Sequence, residues 1–266
     1  MITTEDDQIA VLGAGIAGLT TAHMLLDEGL RVRVYTNTRH LHATSHVACA
    51  IWLPTASEVS VIGVQTIGWG LVGRTVFEKF LTPEWGVFRG QALEFFEDSS
   101  EITADWIECF PNAKQQTLPP SLSPWKVALN FETLYIDTPI YMPRLVEELT
   151  QRGCEFVARE FQEVGELEEL PEKRIVNCLG AASATLFEDA ELRLVAGQTL
   201  LFDDIRVPVG VGFGEYCVYP RTRGTLVGAL AQVTASAYAS PSESLYLQLC
   251  NMLDSYASGL DSCIGD

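Results

Sequence analysis

Gln8-Ile9-Ala10-Val11-Leu12-Gly13-Ala14-Gly15-Ile16-Ala17-Gly18-Leu19-Thr20-Thr21-Ala22-His23-Met24-Leu25-Leu26 decides the fold. An apolar run leads into a Gly-x-Gly-x-x-Gly turn, and the turn leads into a run with helical character. That order is the first half of a dinucleotide-binding βαβ unit. Each glycine is there for a physical reason. Gly13 makes the tight turn, Gly15 lets backbone approach a pyrophosphate, and Gly18 lets helix and strand pack closely. The amides at Ile16 and Ala17 open the helix, where unpaired N–H groups and the positive dipole end favour phosphate. Gly29 stands where a C-terminal glycine ends such a helix. Leu30-Arg31-Val32-Arg33-Val34-Tyr35 supplies the second strand.

Outward from this unit, His46 to Pro54 is an apolar run following a loop of Thr, Arg and His. The spacing predicts a helix over Gly70–Leu81 with Val72, Val76, Phe77 and Phe80 on one face, ending before Pro83. Residues 90–137 read as short strands broken by Pro111, Pro119, Pro120 and Pro124, with half-exposed alternation over Leu129–Tyr135. A helix is expected over Tyr141–Arg152, closed by Gly153, then a strand at Cys154–Val157 and an acidic turn region to Arg174. A buried strand at Arg174–Gly180, strands at Gln198–Phe202, Cys217–Tyr219 and Thr225–Leu230, and a last helix at Ser242–Tyr256 complete the reading. The expected class is α/β, a Rossmann-like parallel sheet with an inserted, mostly antiparallel domain. The expected parts are 1–56 and 141–198 for nucleotide binding, 57–140 and 199–240 for the insertion, and 241–266 for a C-terminal helix and tail.

The chain has 266 residues and a formal net charge of −18, an acid excess opposed to a general nucleic-acid binder. Its seven cysteines are odd in number and form no C-x-x-C pair, so free thiols in a reducing cytoplasm fit better than a disulfide framework. The acidic start Met1-Ile2-Thr3-Thr4-Glu5-Asp6-Asp7 does not read as a secretory leader, and no apolar stretch reaches membrane-spanning length. A cytoplasmic protein is expected, with no nucleic-acid or membrane partner and a homodimer as the one assembly considered. His23, His40, His42 and His46 have no metal-ligand spacing, so no metal is expected.

The glycine loop leaves the nucleotide open. A ribose-binding acid usually follows about 20 residues on, yet no acidic residue occurs between Glu28 and Glu58. Arg39 could meet the 2′-phosphate of NADP. Alternatively, Asn37 or Thr38 could contact the ribose of FAD.

Further segments carry a resemblance. Val34-Tyr35 ends the second strand. Ala43-Thr44-Ser45-His46-Val47-Ala48-Cys49-Ala50-Ile51-Trp52-Leu53-Pro54 is a run of hydroxyl and small residues closing in Trp-x-Pro. Ile136-Asp137-Thr138-Pro139-Ile140-Tyr141-Met142-Pro143, Ile175-Val176-Asn177-Cys178-Leu179-Gly180-Ala181, Val195-Ala196-Gly197-Gln198, Tyr219-Pro220-Arg221 and Leu226-Val227-Gly228 follow in order. Over residues 8–230 this set resembles the D-amino-acid oxidase family of FAD enzymes. The resemblance implies FAD as cofactor, with a D-amino acid and oxygen converted to a 2-oxo acid, ammonia and hydrogen peroxide. It implies cofactor contacts at Gly13, Gly15, Ile16, Ala17, Gly18, Tyr35, Asn37, Thr44, Ser45, Ala48, Ala50, Trp52 and Gly180. Thr44 and Ser45 can hydrogen-bond phosphate or ribose oxygens, small residues at 48–50 let backbone approach the flavin, and Gly180 admits a close neighbour.

The family holds the substrate carboxylate with an arginine in a Gly-x-Arg-Pro-like segment after the last helix. Here Ser255-Tyr256-Ala257-Ser258-Gly259-Leu260-Asp261 stands near that place, and the last arginine is Arg223. Ala196 replaces a usual Arg, and Ala50 a frequent Gly. Tyr216 and Tyr219 flank the pocket-tyrosine position, with Tyr216 preferred. Arg221 is the candidate carboxylate clamp, although Arg221 and Arg223 both read as solvated turn residues. The rival expectations are a truncated, non-catalytic flavin-binding homologue, an NADP-binding reductase, and an amine or glycine oxidase on the same scaffold.

Overall fold

The computed structural model describes residues 8–37, 44–53, 63–192 and 194–234. They fall into two compact units, one from residues up to 48 with 138–196 and 233–234, the other from 49–137 with 197–232. The divisions after 48, 137 and 196 compare with 56, 140 and 198 read from the sequence. Segment 241–266 and its expected helix lie outside the described residues, as do Thr38, Arg39, His40 and His42.

The first unit holds a four-stranded parallel sheet of β1 (Gln8–Leu12), β2 (Arg31–Thr36), β6 (Glu155–Ala158) and β7 (Arg174–Asn177), in the order β6-β2-β1-β7. Every residue of β1 is buried, which is why its sequence is a continuous run rather than an alternation. Helix α1 (Ile16–Asp27) packs on β1 and β2, and on α5 (Thr138–Gln151). Helix α5 begins three residues before the expected Tyr141, because Pro139 in the first turn lacks only an N–H that has no helical partner there. A short helix α2 (Thr44–Val47) occupies the hydroxyl run, and α6 (Ala182–Leu186) follows β7. The buried strand expected over 174–180 is corrected: β7 lies at the edge of the described sheet, with Arg174, Ile175 and Asn177 exposed.

The second unit is built on a seven-stranded sheet, order β4-β5-β3-β9-β10-β11-β8. Its strands are β3 (Val87–Phe96), β4 (Lys114–Thr117), β5 (Val127–Ile136), β8 (Leu194–Phe202), β9 (Gly210–Phe213), β10 (Tyr216–Pro220) and β11 (Thr225–Thr234). The β3–β9 pair is parallel, and the pairs β3–β5, β4–β5, β9–β10 and β10–β11 are antiparallel. Of the short strands expected over 90–137, only β4 is short; β3 and β5 are ten-residue strands in unbroken register from Val87↔Ile136 to Phe96↔Val127. All four prolines of that region lie in the connection between them, so neither strand loses a ladder N–H. That connection also holds α4 (Ala104–Cys109). Helix α3 spans Gly63–Glu78 rather than 70–81, and Val72 is exposed rather than on a buried face.

Strand alternation gives this sheet two unlike faces. One is apolar, with Leu93, Phe95, Ala128 and Val211 in one cluster and Val218, Val227, Ala229 and Tyr216 in another. The opposite face carries Glu94, Cys217, Tyr219, Tyr135 and the glycines 210, 212 and 228.

Candidate functional site

In the first unit the glycine loop is built as its spacing requires. Gly13 has φ +102°, and a Cβ there would lie 2.4 Å from the Cys178 carbonyl oxygen. Its N–H donates to the Tyr35 carbonyl at 2.7 Å, tying the loop to the end of β2. A Cβ on Gly18 would sit 1.8 Å from the Gly13 carbonyl oxygen, so only glycine lets the helix rest against the loop. At Gly15, the N-cap of α1, the nearest neighbour of a Cβ would be Ser45 Oγ at 3.2 Å. That hydroxyl accepts the Ile16 N–H at 3.0 Å. Helix geometry leaves the next amides, at Ala17 and Gly18, without intrahelical carbonyls. A cradle that a single methyl would fill, at a helix start with amides to offer, fits a pyrophosphate.

Asn37 follows β2 and Cys178–Gly180 follows β7, so both lie at the same carboxyl edge of the parallel sheet as the loop after β1. This is where open α/β sheets bind nucleotides. Gly180 has φ +57° and no described atom within 4 Å of a built Cβ. That left-handed conformation favours glycine. Thr44 is exposed at the start of α2, and the Ala48 carbonyl accepts from Thr138 Oγ1 at 3.4 Å.

Tyr35 is spent elsewhere. It is buried, and its hydroxyl donates to Glu172 Oε2 at 3.0 Å. Arg33 Nη1 reaches Glu172 Oε1 at 2.5 Å, while Arg33 Nε donates to Glu155 at 2.7 Å. Only the Tyr35 backbone carbonyl serves the glycine loop.

Trp52, in the second unit, is likewise a packing residue. Its indole N–H donates to the Gly70 carbonyl at 2.8 Å, its ring meets Phe110 edge-on, and Arg74 lies over it. Main-chain bonds Trp52 N–H to Leu134 and Ile136 N–H to the Ala50 carbonyl fix the segment against β5.

The face of the seven-stranded sheet that carries Glu94 brings together residues that the sequence scatters. Along one rung, Glu94 pairs with Gly212, Gly212 with Cys217, and Cys217 with Gly228. The missing side chains make room. A Cβ on Gly212 would lie 2.1 Å from Glu94 Oε2, and one on Gly228 would lie 2.4 Å from Cys49 Sγ and 3.0 Å from Cys217 Sγ. Burial pushes the Glu94 carboxyl up to about 7. No hydrogen bond or ion pair reaches that carboxyl among the described residues. Burial likewise pushes the Tyr219 phenol well up, with Cys217 and Glu94 adding to the effect.

Tyr216 and Tyr219 lie on opposite faces of the sheet, as expected for residues three apart on a strand. Tyr216 packs on the apolar face beside Val218 and Phe213, whereas Tyr219 shares the Glu94 face with Cys217, because residues two apart on a strand face the same way. The expected solvated Arg221 is corrected. It is 7% exposed, its guanidinium donates to the Ile136 carbonyl, and burial lowers its pKa against the opposing pull of Asp137. The turn at 221–224 folds it inward: Arg221 N–H bonds the Gly224 carbonyl, and Thr222 N–H bonds Asp137 Oδ2. Arg223 is the exposed one. Glu94 was missed in the sequence, although a single carboxylate inside Ala92-Leu93-Glu94-Phe95-Phe96 was its legible mark.

Among the described residues no three His, Cys, Asp or Glu side chains gather as metal ligands, and no helix is long and apolar enough to cross a membrane.

Over residues 8–264 the chain matches the family described as FAD dependent oxidoreductase, DAO. It is 29% identical over 196 residues to a D-amino-acid oxidase of Rubrobacter xylanophilus, covering 71% of this chain and 57% of that protein. It is 27% identical over 201 residues to a D-amino-acid oxidase of Streptomyces coelicolor, covering 75% and 60%. The chain thus spans less than two thirds of the length of either relative. Its fold is similar to that of an insertion-deleted L-amino acid deaminase from Proteus vulgaris (TM-score 0.69, 14% identity, 97% of this chain and 76% of that one). It is also similar to glycine oxidase from Geobacillus kaustophilus (0.67, 13%, 93% and 77%). A third likeness is to the FAD-bound L-alpha-glycerophosphate oxidase from Mycoplasma pneumoniae (0.67, 13%, 92% and 77%). The choice between FAD and NADP that the loop left open falls to FAD. With its glycine cradle, its parallel sheet and a match along nearly the whole chain, this protein belongs to the DAO family of FAD-dependent oxidoreductases.

Proposed function

We propose that the protein carries out oxidative deamination of D-amino acids, with oxygen as final oxidant and a 2-oxo acid, ammonia and hydrogen peroxide as products. The observation that carries this reading is the identity of 27–29% to D-amino-acid oxidases over about three quarters of the chain. When bound, FAD supplies the hydride acceptor for the substrate Cα–H and passes the electrons to oxygen. Gly13, Gly15 and Gly18 shape the cradle for its pyrophosphate, with Ala17 and Gly18 offering amides.

In the second unit, Arg221 and Glu94 supply opposite charge character on one sheet face, which suits a zwitterion. Arg221, fixed by the Ile136 carbonyl and kept cationic beside Asp137, is assigned to the substrate carboxylate. Glu94, held near neutral pKa, is assigned to accept the ammonium proton, since hydride leaves Cα readily only when the nitrogen is neutral. A cytoplasmic setting accords with the free thiols.

The test is aerobic turnover of the FAD-loaded protein with D-alanine and other D-amino acids. Peroxide and 2-oxo acid appearing in equal amounts support the reading. Neither product from any D-amino acid overturns it in favour of a non-catalytic flavin binder, and products from glycine or L-amino acids alone would move the substrate class. Arg221→Ala is expected to raise KM at least tenfold with a smaller effect on kcat. An unchanged KM removes Arg221 from the site.

A further inference from the structure

Cys49 and Cys217 stand 168 positions apart in sequence, yet the Cys217 thiol donates to Cys49 Sγ at 3.4 Å. Both are half-buried and unoxidised in the structure. Gly228 admits them both, because a side chain there would overlap the two sulfurs. The direction of the hydrogen bond divides their roles. Donation from Cys217 lowers the pKa of Cys49, burial opposes this, and the Arg221 guanidinium reinforces it. The same hydrogen bond, together with burial and the nearby Glu94, raises that of Cys217. The remaining group facing the pair is the neutral Tyr219 phenol. Cys154 is the internal contrast: it is buried, burial pushes it up to about 11, and no second thiol faces it among the described residues.

We propose that Cys49 and Cys217 form a site of covalent modification by peroxide, closing to a disulfide. Cys49 is the attacking sulfur, since the thiolate is the nucleophile. It bonds to one peroxide oxygen as the O–O bond breaks. The hydroxide released takes up the proton that Cys49 had given to solvent, leaving water and a Cys49 sulfenic acid. Cys217 sulfur then attacks Cys49 sulfur. The S–S bond forms, the S–O bond breaks, and the departing hydroxide carries off the Cys217 proton as water. Two thiols are oxidised by two electrons and one peroxide is reduced to two waters. Bond formation closes the sulfur separation from 3.4 Å to roughly 2 Å. Peroxide is the product of the reaction proposed above, and only the physiological source of the oxidant rests on that reading, because the site responds equally to added peroxide.

The experiment treats the FAD-loaded protein with stoichiometric hydrogen peroxide, blocks remaining thiols with an alkylating reagent, and maps the peptides by mass. The expected first product is a linked peptide pair joining Cys49 to Cys217, formed at least tenfold faster than any oxidation of Cys154. In Cys217→Ser the expected species is a Cys49 sulfenic acid trapped by a dione probe, and in Cys49→Ser residue 217 stays reduced. The unmodified protein alone suffices for refutation. If Cys49 and Cys217 remain reduced while other cysteines react, or if Cys49 reacts no faster than Cys154, the proposal is wrong. Peroxide added in the absence of substrate keeps this outcome separate from any failure of the deamination reading.

Discussion

Two carboxylates, one buried in the first unit and one half-buried in the second, are treated in opposite ways. Glu172, its side chain 1% exposed, receives Arg33 at 2.5 Å and the Tyr35 hydroxyl at 3.0 Å. Glu94, under the sheet of the second unit, receives no hydrogen bond or ion pair among the described residues, and burial holds it near pKa 7. A buried charge with a donor on each of its oxygens ties its segment to the neighbouring strand, because those bonds replace hydration that it lost. A half-buried carboxyl with no protein partner is costly to ionise, and such groups gather where a ligand completes them. The first is architecture and the second is a candidate for chemistry.

The sharpest way to break this contrast is Glu172→Ala. It strands Tyr35 and half of the Arg33 contacts, and should cost about 3 kcal/mol, seen as a fall of roughly 5–10 °C in Tm. A loss within 1 °C would deny that the cluster is structural.

Glu94 should behave inversely. Its carboxyl is protonated in the folded protein and ionised in the unfolded chain between its ordinary pKa of 4.5 and about 7. The unfolded state therefore binds fewer protons in that window, and stability falls as pH rises through it, by roughly 3 kcal/mol in all. Glu94→Gln should flatten this slope in denaturant titrations across pH 4.5–7 without lowering stability at neutral pH. A slope that persists in the variant would mean that other groups carry it. The smallest expected effect belongs to Tyr35→Phe, which removes one of the hydrogen bonds to Glu172 while Arg33 stays, and should cost about 1 kcal/mol. Flavin affinity should be unchanged, because the glycine loop uses only the Tyr35 carbonyl.

How much of this was legible beforehand divides along physical lines. The glycine loop was readable because its constraints are local: positive φ at Gly13 and the contact of Gly18 with Gly13 lie within six residues of chain. Fold class followed from the same unit and the downstream motifs. Side-chain direction was not readable, because it depends on register against strands distant in sequence. That is why no spacing announces that Tyr216 packs beside Val218 or that the Tyr35 hydroxyl meets Glu172. Arg221 looked solvated because a Thr-Arg-Gly turn is usually exposed; the turn instead folds back on β5, where Ile136 and Asp137 receive it. The rung that joins Glu94, Gly212, Cys217 and Gly228 draws on four strands, β3, β9, β10 and β11, and no spacing within one segment announces it.

The central claim is that the FAD-binding chain takes electrons from D-amino acids. The most direct measurement is anaerobic titration of the FAD-loaded protein with D-alanine, D-aspartate and a wider D-amino-acid set, following visible flavin absorbance. The account predicts bleaching by at least one D-enantiomer, none by its L-enantiomer, and recovery of the absorbance on admitting oxygen. Bound flavin that stays fully coloured with every D-amino acid would contradict it.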